Sequence, residues 1–103
     1  MRTVAALLLA AALGACAGQH KSLDDVNDDK VQIARAANGD ADFIAMVPNR
    51  RTVMFNGGLQ FDRVNLVSSR LKEIGCREPR MLREKAQGEG GDRVVYWSAW
   101  KCG

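Results

Sequence analysis

Arg93-Val94-Val95-Tyr96-Trp97-Ser98-Ala99-Trp100-Lys101-Cys102 is the stretch that decides the fold. Valine and aromatic residues favour a β-strand, in which successive side chains point to opposite faces. One face carries Val94, Tyr96, Ser98, Trp100 and Cys102. The other carries Val95, Trp97, Ala99 and Lys101. Because each face has a tryptophan, the pattern predicts a strand that is at least partly covered on both sides.

A second strand is predicted just before this one, over Met81 to Gln87, where polar and apolar residues alternate weakly. Pro79 limits the start of that strand because proline lacks a backbone N–H. Gly88-Glu89-Gly90-Gly91 has the composition of a flexible turn. The sequence therefore predicts a hairpin at the C-terminal end of the chain.

A helix is predicted ahead of this hairpin. Asp62 is a credible N-cap, and Phe61 before it is placed to touch Leu66 as a hydrophobic staple. An apolar stripe at helical spacing follows, made of Val64, Val67, Leu71 and Ile74. Gly75 is expected to end the helix in the left-handed conformation, and Arg63, Arg70 and Lys72 are expected to face away from the stripe.

The first half of the chain predicts another helix and another hairpin. Ser22 and Asp25 form a weak capping box for a helix from Leu23 to Ala37, which Asn38-Gly39 ends. Two strands are predicted after it, 42–47 and 52–56, with Pro48-Asn49 as the turn between them. A helical continuation through residues 43–46 is the alternative, so residues 41–56 are open to both interpretations.

The N-terminus carries the most specific motif of the chain. Met1-Arg2 precedes an apolar run from Val4 to Leu13, which is followed by Gly14-Ala15-Cys16. A positive start, a short apolar run and small residues before a cut point are typical of a secretory signal. Leu13-Gly14-Ala15-Cys16 further resembles the lipobox of bacterial lipoprotein precursors. The resemblance implies that residues 1–15 are a removed signal peptide and that Cys16 carries a thioether-linked diacylglycerol and an N-acyl chain such as palmitate.

Two other interpretations of this motif stay open. One is a plain secretory signal that is cut before an ordinary cysteine. The other is a membrane-spanning helix, although the uncharged run from Thr3 to Gly18 has only 16 residues and a spanning helix needs about 20.

The resemblance also implies a location. An aspartate directly after the lipidated cysteine tends to retain such proteins in the inner membrane, and here that position is Ala17. The periplasmic leaflet of the cell outer membrane is therefore favoured over the inner membrane. Residues 16–21 form the lipidated tether. At about 3.4 Å per residue, its five residues after Cys16 span roughly 17 Å at most, which holds residues 22–103, expected to be a single small domain, close to the lipid.

Two cysteines remain after the lipid-bearing one, Cys76 and Cys102. In the oxidising periplasm that the resemblance implies, an even pair in a small domain indicates a disulfide, with two free thiols as the alternative. The expected fold class is then α+β. We expect a small antiparallel sheet with two helices, in the order helix, hairpin, helix, hairpin, clipped by one disulfide.

The sequence contains no recognisable catalytic or metal-binding arrangement. His20 is the only histidine and lies in the tether, so no Ser-His or Cys-His pair can form. Asp24, Asp25, Asp28 and Asp29 lack the alternating ligands and the central glycine of an EF-hand. Four further carboxylates show no informative spacing: Asp62, Glu73, Glu78 and Glu84. We therefore expect no enzymatic activity, no metal and no cofactor.

The charge is divided unevenly along the chain. Residues 17–48 have three basic and six acidic side chains, whereas residues 49–103 have eleven basic and six acidic ones. Tryptophan and arginine are common at binding hot spots, and the candidate partner contacts are Trp97, Trp100, Arg93 and Lys101.

These features predict a membrane-anchored structural or interaction module that docks to an envelope protein complex beside the membrane. The alternative is a binder or inhibitor of an anionic envelope ligand or a lytic enzyme, such as peptidoglycan, lipopolysaccharide or a lysozyme-like protein. Nucleic acid is not expected as a partner in this compartment.

Overall fold

The computed structural model of the protein describes residues 20–51 and 58–103. The elements follow in the order α1 (Leu23–Val26), β1 (Gln32–Arg35), β2 (Phe43–Arg50), α2 (Gln60–Glu73), β3 (Pro79–Gly90) and β4 (Arg93–Cys102). The strands form one sheet in the order β1-β2-β4-β3, and every neighbouring pair is antiparallel. The predicted class is confirmed, since these residues contain a small antiparallel sheet, two helices and one disulfide.

Strand β4 has the predicted bounds and lies between β2 and β3. Its register places Tyr96 opposite Val47 and Trp100 opposite Phe43. Residues opposite each other in an antiparallel pair present their side chains on the same face. Val67 and Leu71 of α2 belong to the same buried cluster as Val47, Phe43 and Trp100. Helix α2 therefore covers the Tyr96 and Trp100 face of the sheet.

The predicted helix over Leu23 to Ala37 is wrong, because the helix ends at Val26 and the chain returns as β1. The Asn27 side chain accepts a hydrogen bond from Ile33 N at 2.7 Å and donates one to Ile33 O at 2.9 Å. Asp28 Oδ1 accepts from the backbone N–H groups of Lys30 and Val31. Such side-chain bonds compete with a helix for the backbone, and the resulting turn brings Ile33 into the core.

The predicted turn at Pro48-Asn49 is also wrong, as is the alternative helix over residues 43–46. Both turn residues lie within β2, where Pro48 is opposite Val95 and Asn49 opposite Val94. Strand β1 pairs with β2 only as far as Met46. On that side no strand of residues 20–51 and 58–103 pairs with β2 at residue 48, so a proline without an N–H is tolerated there. The predicted strand over residues 52–56 lies outside the described residues.

Helix α2 begins earlier than predicted, at Gln60 rather than after an Asp62 cap. Its N-cap is Leu59, and no side chain caps it. Phe61 is therefore in the first helical turn and 74% exposed, so the predicted staple with Leu66 is wrong. The predicted end is confirmed, because Gly75 follows the helix with a φ of +100°.

The C-terminal hairpin is longer than predicted. Gly88 and Gly90 pair within β3, opposite Val94 and Arg93, and only Gly91 and Asp92 form the turn. Because the first helix and the first hairpin consist of other residues than expected, the predicted order with those assignments is not confirmed.

The turn between α1 and β1 predicts a pH-dependent contribution to stability. Hydrogen bonds from the backbone of Lys30, from Arg70 and from the backbone of Val31 lower the pKa of Asp28, and Arg70 Nη2 lies 3.0 Å from Asp28 Oδ2. A carboxyl group with a lowered pKa in the folded state stabilises that state above its unfolded pKa of about 3.9. This contribution is lost as the pH falls through the folded value.

We therefore expect Asp28→Asn to lower the urea midpoint at pH 7, and the difference from the parent protein to shrink as the pH falls below about 4. Asp29→Asn is the matched control, because Asp29 is the adjacent exposed aspartate and no hydrogen bond or ion pair of it is found among the described residues. If the urea midpoint of Asp28→Asn differs from that of the parent protein by the same amount at every pH, this explanation is contradicted.

Candidate interaction surface

The sheet face that points away from α2 is the candidate site, and we call it the open face. Both helices lie on the opposite side, because Leu23 of α1 packs against the same core cluster as α2 and Arg70 of α2 donates to Val26 O of α1. The apolar residues of the open face come mainly from β2 and β4. They include Ile44, Met46, Pro48, Val95, Trp97 and Ala99, and Ala34 of β1 stands beside Ile44 on the same face.

The centre of the open face contains a groove of about 340 Å³. Its lining includes Ile44, Trp97 and Ala99, together with Arg83 and Lys85 of β3. The indole N–H of Trp97 is buried and has no hydrogen-bond acceptor among residues 20–51 and 58–103. A buried donor without an acceptor costs about 1–3 kcal/mol. The described part of the domain therefore leaves one hydrogen-bond donor, the Trp97 indole N–H, without an acceptor.

Six cationic side chains share the open face with this apolar centre. The register and the alternation of the strands place there Arg50, Arg80, Arg83, Lys85, Arg93 and Lys101. Two aspartates from the β1–β2 connection, and Glu89 beside Arg93, offset part of this charge. Asp40 lies 3.1 Å from Arg83, and Asp42 lies 3.8 Å from Lys101. Positive charge is therefore in clear excess around the groove.

Three of the four predicted partner contacts lie on the open face. Trp97, Arg93 and Lys101 alternate along β4 on the open face. Trp100 is on the other face, 1% exposed, and its indole N–H donates to Ser98 Oγ at 2.7 Å. Since a residue packed in the core is not accessible to a partner, we leave Trp100 out of the interaction surface.

Sequence reasoning missed a buried ion pair on the helix-covered face. Arg63, expected to point away from the core, is 7% exposed. Its guanidinium donates to both carboxylate oxygens of Glu84, at 2.6 and 2.8 Å, and its Nη1 donates to Gly58 O. It also lies over the ring of Tyr96, 3.6 Å from the centroid. The hydrogen bond with Glu84 raises the pKa of Arg63 although burial acts to lower it.

Two of the four scattered carboxylates, Glu84 and Glu73, are held in ion pairs. Glu84 is held by Arg63, whereas Glu73 is paired with Lys21 at 3.1 Å. In the described parts of the chain, no group of three or more His, Cys, Asp or Glu side chains is arranged to hold a metal ion. Local sequence does not predict that Arg63 is buried, because its partner Glu84 is 21 residues away along the chain.

The start of the described chain is attached to the C-terminal end of α2. Lys21 N donates to Glu73 O at 2.8 Å, and the His20 ring packs against Gly75. A side chain at Gly75 would approach that ring to 3.2 Å, and the positive φ of +100° favours glycine at this position. The predicted lipid attachment residue, Cys16, lies outside the described residues.

The predicted disulfide is confirmed. Cys76 follows the end of α2 and Cys102 ends β4, and their sulfur atoms are 2.12 Å apart. Cys76 is buried within the core cluster and Cys102 packs against it. The bond therefore fastens the last turn of α2 to the central strand, at the end of the domain where the chain enters.

Comparison with known proteins gives no match: no family model, curated protein or solved structure matches this chain. In residues 20–51 and 58–103, no helix is long and apolar enough to cross a membrane.

Proposed function

We propose that this protein is a lipid-anchored envelope module without enzymatic activity, and that its open face docks to an acidic surface of a protein partner beside the membrane. The observation that carries the proposal is the groove around Trp97, which has an apolar floor and an excess of cations at its rim. Interfaces typically combine an apolar centre with a polar rim, and tryptophan and arginine dominate their energetics.

The anchor supports a partner close to the lipid. If Cys16 carries the lipid, only residues 17–19 separate it from His20, which already packs against the domain. Four residue steps span at most about 14 Å. Two or more acyl chains give stable membrane attachment. The domain is then held within a short distance of the bilayer surface, where a partner meets it.

The partner is expected to be acidic because the open face retains cations without a counterion. Arg80 and Lys85 are exposed, and neither has an ion-pair partner within the described part of the molecule. Complementary charge raises association rates and suppresses wrong partners. Aliphatic or aromatic residues of the partner fit the groove floor at Ile44 and Ala99.

The test is photo-crosslinking in the native cell from a photoreactive residue at Val95, on the open face. We expect one discrete protein adduct from this position and none from Lys72, which is exposed on the helix-covered side. Arg83→Glu with Lys85→Glu is expected to reduce the adduct at least fivefold, because it reverses the charge of the groove rim. Lys72→Glu is the matched control, since it changes an exposed lysine away from that face.

Two further outcomes decide the proposal. Replacing residues 1–16 by a plain secretory signal peptide is expected to release the protein from the membrane fraction and to abolish the adduct. The crosslinked peptide, identified by mass spectrometry, is expected to lie in an acidic segment of its protein. An adduct formed equally well by the charge-reversed protein would contradict the docking surface, and adducts only to lipopolysaccharide or peptidoglycan would favour the anionic-ligand alternative.

A further inference from the structure

Strand β3 forms one edge of the sheet and is unusually long for an edge strand. It has 12 residues, whereas the opposite edge strand, β1, has four. No strand among the described residues pairs with the outer side of β3. The backbone N–H and C=O groups on that side are a ready template for another strand, which is why proteins commonly shorten, cover or charge such edges.

The middle of this edge is regular. The register shifts fall between Met81 and Arg83 and between Gly88 and Gly90. Between them, residues 83–88 pair with β4 without interruption, and all of them except Glu84 are exposed. In an antiparallel arrangement, every second residue of such a stretch directs its N–H and C=O away from the strand it already pairs with.

The side chains of residues 83–88 determine which charge an added strand must carry. Arg83 and Lys85 stand on the open face, opposite Ala99 and Trp97, and both line the groove. An added strand would place its own side chains directly beside them. Opposite charges at neighbouring positions stabilise strand pairs and like charges destabilise them. The cations thus disfavour a basic strand and favour an acidic one.

Pairing with a second copy of β3 is disfavoured by the same argument. Two β3 edges joined in one sheet would bring Arg83 and Lys85 of both copies together on the same face. The excess of positive charge on the open face would double at that seam. The occupant that fits is therefore a segment of another protein.

We infer that residues 83–88 of β3 bind an extended acidic segment of the partner as a fifth strand of the sheet. This inference rests on the proposed docking function and specifies how the partner is held. Backbone hydrogen bonds along the edge supply affinity, and the side chains beside Arg83 and Lys85 supply specificity, as in other cases of strand addition.

The test measures amide hydrogen exchange of the full mature protein in neutral detergent micelles. The probe is an acetylated seven-residue peptide that alternates glutamate and valine. We expect it to slow exchange of the outward-facing amides of residues 83–88 at least fivefold, while amides of α2 stay unchanged. A peptide with lysine in place of every glutamate is expected to have no effect.

A second control separates strand pairing from charge attraction. The same acidic peptide, N-methylated at alternate residues, keeps its charge but loses the N–H donors of one edge. We expect it to lose the protection of residues 83–88. Equal binding of both acidic peptides without that protection would overturn the inference. So would protection of residues 83–88 that arises without peptide as protein concentration rises, since this indicates a second copy.

These outcomes are distinct from those that test the proposed function. If the acidic peptide gives no protection while the Val95 crosslink persists and remains sensitive to Arg83→Glu with Lys85→Glu, the added strand is wrong and the docking surface stands. If the crosslink is absent, the docking surface itself fails.

Discussion

Glu84→Gln is expected to lower the free energy of unfolding by about 3–5 kcal/mol, the typical cost of removing one partner from a buried ion pair. The side chains of Arg63 and Glu84 are only 8% and 10% exposed. Arg63 donates to both carboxylate oxygens, so the amide of glutamine leaves its charge buried without a counterion. Urea unfolding followed by far-UV circular dichroism measures the difference. Because domains are stable by only about 5–15 kcal/mol, this is a large fraction of the total.

The domain offers a matched control in an exposed pair. Asp40 and Arg83 are 65% and 61% exposed, and surface ion pairs contribute about 0–1 kcal/mol. We therefore expect Asp40→Asn to change the free energy of unfolding by less than about 1 kcal/mol. A similar effect for both substitutions would mean that the Arg63–Glu84 pair is not buried.

A double substitution keeps the prediction testable if Glu84→Gln fails to fold. Replacing a buried ion pair by apolar residues of similar volume is often neutral or stabilising. Arg63→Met combined with Glu84→Leu is therefore expected to fold with close to the parent stability. Loss of folding in the double variant would show that the pair provides more than charge compensation, for instance through the contact of Arg63 with Tyr96.

Loss of the disulfide is the second large effect we expect. Cys76 and Cys102 are 26 residues apart, and closing a loop of that length restricts the unfolded chain. The chain-entropy model gives about 3.5 kcal/mol for this restriction. Cys76→Ala with Cys102→Ala is thus expected to lower the free energy of unfolding by roughly that amount, as measured by urea unfolding.

An exposed residue beside the disulfide supplies the control for this experiment. Arg77→Ala changes the residue directly after Cys76 without opening the loop, so its effect on the unfolding of the domain is expected to be small. Reduction of the parent protein should reproduce the double variant. A change below about 1 kcal/mol in both experiments would contradict the entropic contribution of this bond.

The parts of the fold that follow from local geometry were predictable. The bounds of β4 follow from its run of valine and aromatic residues, and Gly75 ends α2 because glycine readily adopts a positive φ. The pairing of Cys76 with Cys102 was predicted because the lipobox resemblance set Cys16 aside, which left one even pair. Each of these signals depends on a few neighbouring residues or on composition.

The parts of the fold that depend on contacts between residues distant in sequence were not predictable. The end signals at Ser22 and Asn38-Gly39 predicted one helix over Leu23 to Ala37, yet the Asn27 side chain bonds to both backbone groups of Ile33 and turns the chain toward the sheet. Proline favours a turn in most contexts. Here β1 pairs with β2 only as far as Met46, so no strand of the described residues needs a hydrogen bond from the backbone nitrogen of Pro48. Arg63 of α2 has the sequence context of a surface residue, and its burial depends on the ion pair with Glu84 of β3.

The sequence by itself determined which residues of β4 share a face, because alternation is a property of the extended backbone. The alternation therefore placed Trp97 and Trp100 on opposite faces of the sheet, but it did not determine which of the two is accessible. Only the tertiary structure decided that, by packing α2 over Trp100 and leaving Trp97 beside Arg83 and Lys85. The physical reason is that burial of a face depends on which distant element covers it.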